Sequence, residues 1–252
     1  MSQYGQLSTE FYQLDKPDAP SDALDFYAAF AAEARGPIHE PMCGSGRFLL
    51  PLLAQGHDIS GSDSSASMLD ACRARAESLG LAPRLTHQPL AQLSLLPAPA
   101  LIFIPSGSFS LLIDDASVNA ALAAVRQALA PGGVFLVEAE RLLPTVPASS
   151  GVWGGRWVER ADGAKLSLSW LTQYSGSANV TTSIHRYELV KDGRLLATEY
   201  EDFRVRSYEP AEFLRLLESA GFEHIEMLKP YERAPADDGD EAIVFRSSKS
   251  GG

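Results

Sequence analysis

The sequence predicts an α/β fold: a mostly parallel sheet with helices on both faces, interrupted once by an antiparallel β block. Three observations carry this. Between Pro37 and Glu140, strand-like and helix-like segments alternate about every 20 to 30 residues, the spacing of right-handed crossover units. PALIFIP (99–105) is a continuous apolar run, as a strand buried on both faces requires, and GVFLVEAE (133–140) reads as a second buried strand. After Arg141 the texture changes to strand-like segments separated only by turn residues.

The elements follow in order. The arm up to Lys16 is mixed, with aromatics Tyr4, Phe11 and Tyr12 and no clear element. Ser21 or Asp22 caps a helix over ALDFYAAFAAEA (23–34), which Gly36-Pro37 stops. PIHEPM (37–42) is a short strand and Gly44-Ser45-Gly46 a tight turn. RFLLPLLAQ (47–55) is helical with Pro51 in its first turns, HDISGSD (57–63) is a second strand, and ASMLDACRARAESLG (66–80) is a helix ending at Gly80. PRLTHQP (83–89) and PALIFIP are strands, ASVNAALAAVRQALA (116–130) is a helix stopped by Pro131-Gly132-Gly133, and GVFLVEAE is the fifth strand. Residues 142–151, rich in Pro, Ser and Gly, read as a loop.

GRWVERA, KLSLSWLTQYS, NVTTSIHRYELV and RLLATEYEDFRVRSY then form an antiparallel meander, with Asp192-Gly193 as a hairpin turn. Pro210 opens a helix that ends at Gly221. FEHIEMLKPY and EAIVFRSS are the last strands, and the SSKSGG tail is expected to be disordered.

Composition narrows the function classes. The 252 residues carry 21 Lys+Arg against 32 Asp+Glu, a net charge of −11. With no run of basic residues, such a surface repels phosphate backbones, which argues against nucleic acid as a main partner. No stretch of 18 apolar residues suggests a membrane span, and MSQYGQLSTEFYQLDK does not read as a signal peptide. The expected location is cytoplasmic. Cys43 and Cys72, the 2 cysteines, make neither a disulfide framework nor a four-ligand zinc site, and no His cluster has metal-ligand spacing.

The informative segment runs from Ile38 to Met68: strand, Glu40, a Gly-x-Gly turn, helix, strand, Asp63. The glycines let the backbone turn sharply and approach a ligand, and the following helix start offers unpaired N–H groups. Asp63, about 20 residues after the glycines, suits a ribose diol. A dinucleotide site asks for a third glycine where Leu49 stands, so the pyrophosphate cradle is incomplete. Glu40 is awkward beside a pyrophosphate and suits a cation.

These residues resemble a known family. EPMCGSGR (40–47) resembles the first motif of class I S-adenosylmethionine-dependent methyltransferases, where an acid and then Gly-x-Gly end the first strand. HDISGSDSSASML resembles the segment of the second acid, LAPGG followed by VFLVE the approach to the fifth strand, and SYEPAEFLRLLESAGFE the helix before the penultimate strand. The inserted strands more loosely resemble the lid of small-molecule members such as glycine or amino-sugar N-methyltransferases. The resemblance implies a Rossmann-like class I methyltransferase fold with a seven-stranded sheet. Residues 1–150 and 207–252 would form the cofactor-binding methyltransferase domain, and 151–206 the inserted antiparallel β lid.

It also implies S-adenosylmethionine as cofactor and S-adenosylhomocysteine as product. Glu40 would accept from the methionine ammonium, directly or through water. Gly44, Ser45 and Gly46 would pass their backbone against the methionine and ribose. Asp63 would bind the ribose hydroxyls, with Ser64 and Met68 lining the adenosine side. Leu90 would pack on the adenine, and Ile104 and Pro105 would close the methionine side. The family usually has glycine where Met42 stands and, near Pro89, an acid that meets the adenine amino group. Packing, a backbone group at Leu90, Gln88 or Gln92 could hold the adenine instead.

Acceptor contacts belong on loops at the carboxyl ends of the strands. Ser106 and Phe109 follow the fourth strand, Glu138 and Glu140 end the fifth, and Tyr12, Trp153, Trp157, Trp170 and Tyr174 could form a lid. His185 reads as a solvated strand residue. Methyl transfer works by positioning and exclusion of water, so no catalytic residue is assigned. The function expected is methylation of a small-molecule substrate at nitrogen or oxygen, without nucleic acid or membrane partners. A homodimer stays open. The alternatives are a catalytically silent relative that binds the cofactor or a partner protein and, further off, an NAD(P)-dependent oxidoreductase.

Overall fold

The computed structural model describes residues 4–142, 151–174 and 179–251. The first sheet has seven strands: β1 (Ile38–Pro41), β2 (Ile59–Asp63), β3 (Arg84–His87), β4 (Leu101–Ile104), β5 (Val134–Glu140), β10 (Glu223–Leu228) and β11 (Ala242–Ser248). Their order is β10-β11-β5-β4-β1-β2-β3. The pairs β5–β4, β4–β1, β1–β2 and β2–β3 are parallel, and β11 is antiparallel to both its neighbours.

Alternation along the central strands assigns the two faces. Leu101, Phe103 and Leu136 point to a core shared with α2 (Ser21–Glu33), α3 (Leu49–Ala54) and α4 (Ala66–Ser78). Ile102, Ile104, Phe135 and Val137 point to the opposite core, shared with α5 (Asp115–Ala128) and α6 (Pro210–Ser219). Each such side chain contributes about 1.5–3 kcal/mol by leaving water. Caps start the helices where the sequence supplies them: Ser65 Oγ accepts from the Met68 amide at 3.3 Å, and Asp114 Oδ1 from the Ser117 amide at 2.8 Å.

The segments after Arg141 form a second sheet, ordered β6 (Trp153–Glu159), β7 (Lys165–Tyr174), β8 (Val180–Lys191), β9 (Arg194–Arg206) and antiparallel throughout. Asp192 and Gly193 both have positive φ, 51° and 70°, which is the hairpin geometry that the Asp-Gly pair favours. Residues 143–150 of the expected loop lie outside the described residues.

Two expectations for the chain ends are corrected. The mixed arm contains α1 (Gln6–Asp15), a helix whose Leu7 and Phe11, one turn apart, pack on Leu166, Leu168 and Tyr187 of the second sheet. The tail is ordered through Gly251: the Lys249 amide donates to Gly133 O at 3.0 Å and Lys249 Nζ to Leu129 O at 2.7 Å, satisfying a carbonyl at the end of α5.

Candidate active site

The carboxyl ends of β1, β2 and β4 open into a cavity of about 450 Å³. The turn after β1 makes its floor. Met42, Gly44 and Gly46 all have positive φ, 57°, 53° and 81°. Gly44 and Gly46 tolerate this, whereas Met42 is a left-handed non-glycine residue where the resembling family has glycine.

Asp63 ties this turn to the next helix. Its Oδ2 accepts from the Gly44 amide and its Oδ1 from the Ser65 amide, each at 2.8 Å. A carboxylate offers about four acceptor sites, so both oxygens retain capacity for a diol. Burial raises the Asp63 pKa, and the amides of Ser65, Gly44 and Ser64 oppose that rise.

Glu40 is 2% exposed, and its Oε2 has no hydrogen-bond partner. Burial pushes its pKa well above the usual carboxylate range, with the Leu49 amide opposing. A buried acid with one unserved oxygen on a cavity wall suits a ligand cation or donor.

Arg47 closes another side with its charge already engaged. Nε and Nη2 donate to Asp18 O at 3.0 and 2.8 Å, and Nη1 donates to the Tyr12 hydroxyl at 2.8 Å. At the end of β4, Pro105 and Ser106 line the cavity. The Ser106 amide donates to Glu138 Oε2 at 3.0 Å. Burial pushes the Glu138 pKa up to about 7, against the pull of the Ser106 amide and the Tyr231 hydroxyl. Glu140 lies beside Gly107, where a Cβ would come within 2.7 Å of its Oε1. Burial also raises the Glu140 pKa, with Glu241 adding to the rise.

The structure gathers Glu40, Gly44, Ser45, Asp63, Ser64, Met68, Pro105, Ser106 and Tyr12 around this one cavity. It places other expected site residues elsewhere. Gly46 lies behind the turn, where a Cβ would sit 2.6 Å from Cys72 Sγ and 2.9 Å from Leu50 Cγ, so its missing side chain serves packing against α4. Leu90 and Ile104 are buried in the α5 core. Phe109 is fully buried there too, edge-on to Phe213 at 5.4 Å. Glu138 stands behind Ser106. Trp153 is 51% exposed on β6 and carries Arg186 over its ring at 5.3 Å. Tyr174 ends β7, and its side chain lies outside the described residues. His185 is no solvated residue: it stacks on Phe203 at 4.6 Å, and burial lowers its pKa to about 4.

Several lining residues escaped the sequence reading. Met42 and Arg47 flank the glycine turn and were legible as its neighbours. Leu111 ends the short 3-10 turn after β4, and Leu112, Ile113 and Asp114 follow it up to the α5 cap. Tyr4 reaches the cavity just ahead of α1, an element with little sequence signal. Gln88, one of the residues expected to hold the adenine, is not among the cavity's lining residues; it has a buried Nε2 with no partner, and its amide donates to Asp63 O at 3.0 Å. Among the described residues, no group of three or more His, Cys, Asp or Glu is arranged to hold a metal ion, and no helix is long and apolar enough to cross a membrane.

Comparison with known proteins bears on the fold that carries this site. Residues 38–133 match the family model described as a methyltransferase domain. A stretch of 85 residues is 36% identical to an uncharacterized RNA methyltransferase of Parasynechococcus marenigrum, covering 33% of this chain and 18% of that protein. The chain therefore spans less than a fifth of that relative's length. The crystal structure of an S-adenosylmethionine-dependent methyltransferase from Clostridium acetobutylicum superposes with a TM-score of 0.77 at 19% identity, covering 96% of this chain and 97% of that one. A sugar N-methyltransferase from Streptoalloteichus gives 0.77 at 18% identity, covering 99% and 97%. At such identities the likeness is one of fold. The Rossmann-like class I methyltransferase fold expected from the motifs is the fold of this chain.

Proposed function

We propose that this protein transfers a methyl group from S-adenosylmethionine to a small-molecule acceptor at nitrogen or oxygen. The observation that carries the reading is the Glu40–Asp63 pair on one cavity. Glu40 Oε2 is buried without a partner, which fits a methionine ammonium, and Asp63 keeps acceptor capacity for ribose hydroxyls. Gln88, with its unpartnered Nε2, is the candidate donor to the adenine ring in place of the acid that Pro89 does not supply.

S-adenosylmethionine, when bound, supplies a methyl group activated on a sulfonium. The residues of this chain position and enclose. Glu40 and Asp63 would fix the two ends of the nucleoside amino acid, Pro105 and Ser106 would wall the transfer side, and Tyr4 and Tyr12 would exclude water. Glu138 would act through the Ser106 amide, holding the loop that faces the acceptor. In this reading residues 1–150 and 207–252 hold the cofactor, and 151–206 cover the acceptor side.

The charge distribution supports a small acceptor over nucleic acid. Arg47 is the one cation lining the cavity among the described residues, and three of its five N–H bonds already go to Asp18 O and Tyr12. A phosphate-bearing acceptor therefore meets the carboxylates of Glu40, Asp63 and Asp114 with a single, partly engaged cation. Likeness in fold to a sugar N-methyltransferase points the same way. Met42 and Pro89 favour one second reading, a relative that binds the nucleoside and transfers nothing.

Calorimetric titration with S-adenosylmethionine, S-adenosylhomocysteine and NAD tests the proposal. Heat is expected with both sulfur nucleosides and none with NAD, and silence with both would refute it. Asp63→Ala should weaken S-adenosylhomocysteine by about tenfold or more, the scale of a lost charge-assisted hydrogen bond. A methyl-transfer screen over amines, amino sugars and phenols separates the transferring from the silent reading.

A further inference from the structure

We infer that Glu199 and Glu201 are positioning residues for this cavity, which hold the N-terminal segment in place as a wall and so set how fast a bound nucleoside leaves. The inference rests on reading the cavity as the nucleoside site.

Helix α1 has no side-chain cap from its own N-cap residue, Gly5, and no acid in its first turn. The missing acceptor comes from the second sheet. Glu199 Oε2 accepts from the Leu7 amide at 2.9 Å, and Oε1 from the Ser8 amide at 3.0 Å. A carboxylate at this end also complements the helix dipole. Two residues along the same strand, Glu201 Oε1 accepts from the Tyr4 amide at 2.7 Å, and its Oε2 accepts from the Tyr187 hydroxyl at 3.4 Å. Gly5 makes room for the first contact: a Cβ there would lie 2.7 Å from the Glu199 carboxylate.

The other side of the segment belongs to the cofactor cavity. Tyr4 O accepts from Ser65 Oγ at 3.1 Å, and Asp63 holds the Ser65 amide. The Tyr4 and Tyr12 rings, edge-on at 5.8 Å, both line the cavity. A chain of contacts therefore runs from β9 through the segment to Asp63. The apolar seal of α1, Leu7 and Phe11, faces the second sheet. By contrast, the Ser8 and Thr9 hydroxyls are buried with no partner, so part of the packing of α1 is poorly satisfied. The two glutamates hold the Tyr4 backbone and the first turn of α1, while Arg47 holds the Tyr12 hydroxyl from the other side.

Three variants test this: Glu199→Gln, Glu199→Ala and Gly5→Ala, the last disturbing the same contact from the helix side. The readouts are the S-adenosylhomocysteine dissociation rate by stopped-flow displacement and hydrogen exchange at the Leu7 and Ser8 amides. Glu199→Ala and Gly5→Ala should lose amide protection and release the nucleoside about tenfold faster or more. Glu199→Gln, near-isosteric and able to accept from one amide, should be intermediate. A variant that loses protection at Leu7 and Ser8 yet releases the nucleoside at the original rate overturns the inference. So does a variant that only melts earlier. If the unaltered protein binds no sulfur nucleoside while Leu7 and Ser8 stay protected, the reading of the site fails and the inference with it. Normal binding with unchanged release overturns the inference alone.

Discussion

Replacing Glu138 by glutamine should stabilise the protein, and more so the higher the pH. Glu138 is 5% exposed, and burial lifts its pKa from 4.5 to about 7. A carboxyl whose folded value is raised folds at no cost below about pH 4.5. Its contribution is then lost as pH climbs through about 7, because the unfolded chain releases the proton first. At about 1.4 kcal/mol per pH unit, the gap between those values is worth about 3 kcal/mol at pH 8 and under about 1 kcal/mol at pH 5. Glutamine never ionises, and its carbonyl can still accept from the Ser106 amide.

Thermal melts of both proteins without ligand, at pH 5 and pH 8, isolate this one group, since every other titration is common to both. A chain of this size shifts by about 2–4 °C per kcal/mol, so the variant should melt about 6–12 °C above the parent at pH 8 and no more than about 4 °C above it at pH 5. An equal gap at both pH values would show that no ionisation penalty is stored at Glu138. A variant less stable at pH 8 would show that its bonds to Ser106 and Tyr231 outweigh the penalty.

Two further substitutions test the placement of Gly46, expected at the cofactor from the glycine motif, and of Phe109, expected at the acceptor from its loop after the fourth strand. Gly46→Ala should cost about 2–5 kcal/mol, combining a left-handed backbone with collision at Cys72 Sγ and Leu50, as read by chemical denaturation. Phe109→Ala should cost about 3–5 kcal/mol by opening a cavity in the α5–α6 core, yet leave S-adenosylhomocysteine affinity unchanged in the folded fraction by calorimetry; a change in affinity would return Phe109 to the site.

The parts that were legible from sequence are those whose signal is periodic or local. The alternation through Glu140 and the strand texture of 153–206 placed the elements of both sheets, because period-two and helical patterns record which side of an element meets water. The glycine turn was legible because backbone conformation restricts the residue type, and Asp63 because an acid ends the next strand about 20 residues later.

Errors arose where a neighbour in sequence is not a neighbour in space. Ile104 stands next to Pro105, yet strand alternation sends its side chain into the α5 core while Pro105 reaches the cavity. Phe109 falls one turn further and is drawn inward by Phe213 and Tyr208. Helix α1 was invisible because its apolar signal is essentially Leu7 and Phe11, and its cap comes from Glu199, 192 residues away from Leu7 in sequence. The same distance hid Tyr4.

The sheet order has a consequence for how the chain assembles. β11, which follows β5 and β10 in the sequence, does not close the sheet at its border; it slots between them. Until its residues emerge, β5 keeps an unpaired margin and β10 has nothing in this sheet to pair with. The second sheet faces no such wait, since each of its strands pairs with the next in sequence. Short-range pairing of that kind closes quickly, whereas pairing that spans about a hundred residues is slow. On the ribosome, the inserted block should thus be complete while the surrounding domain is still an open half-sheet, and the two margins of β5 and β10 are where aggregation would start.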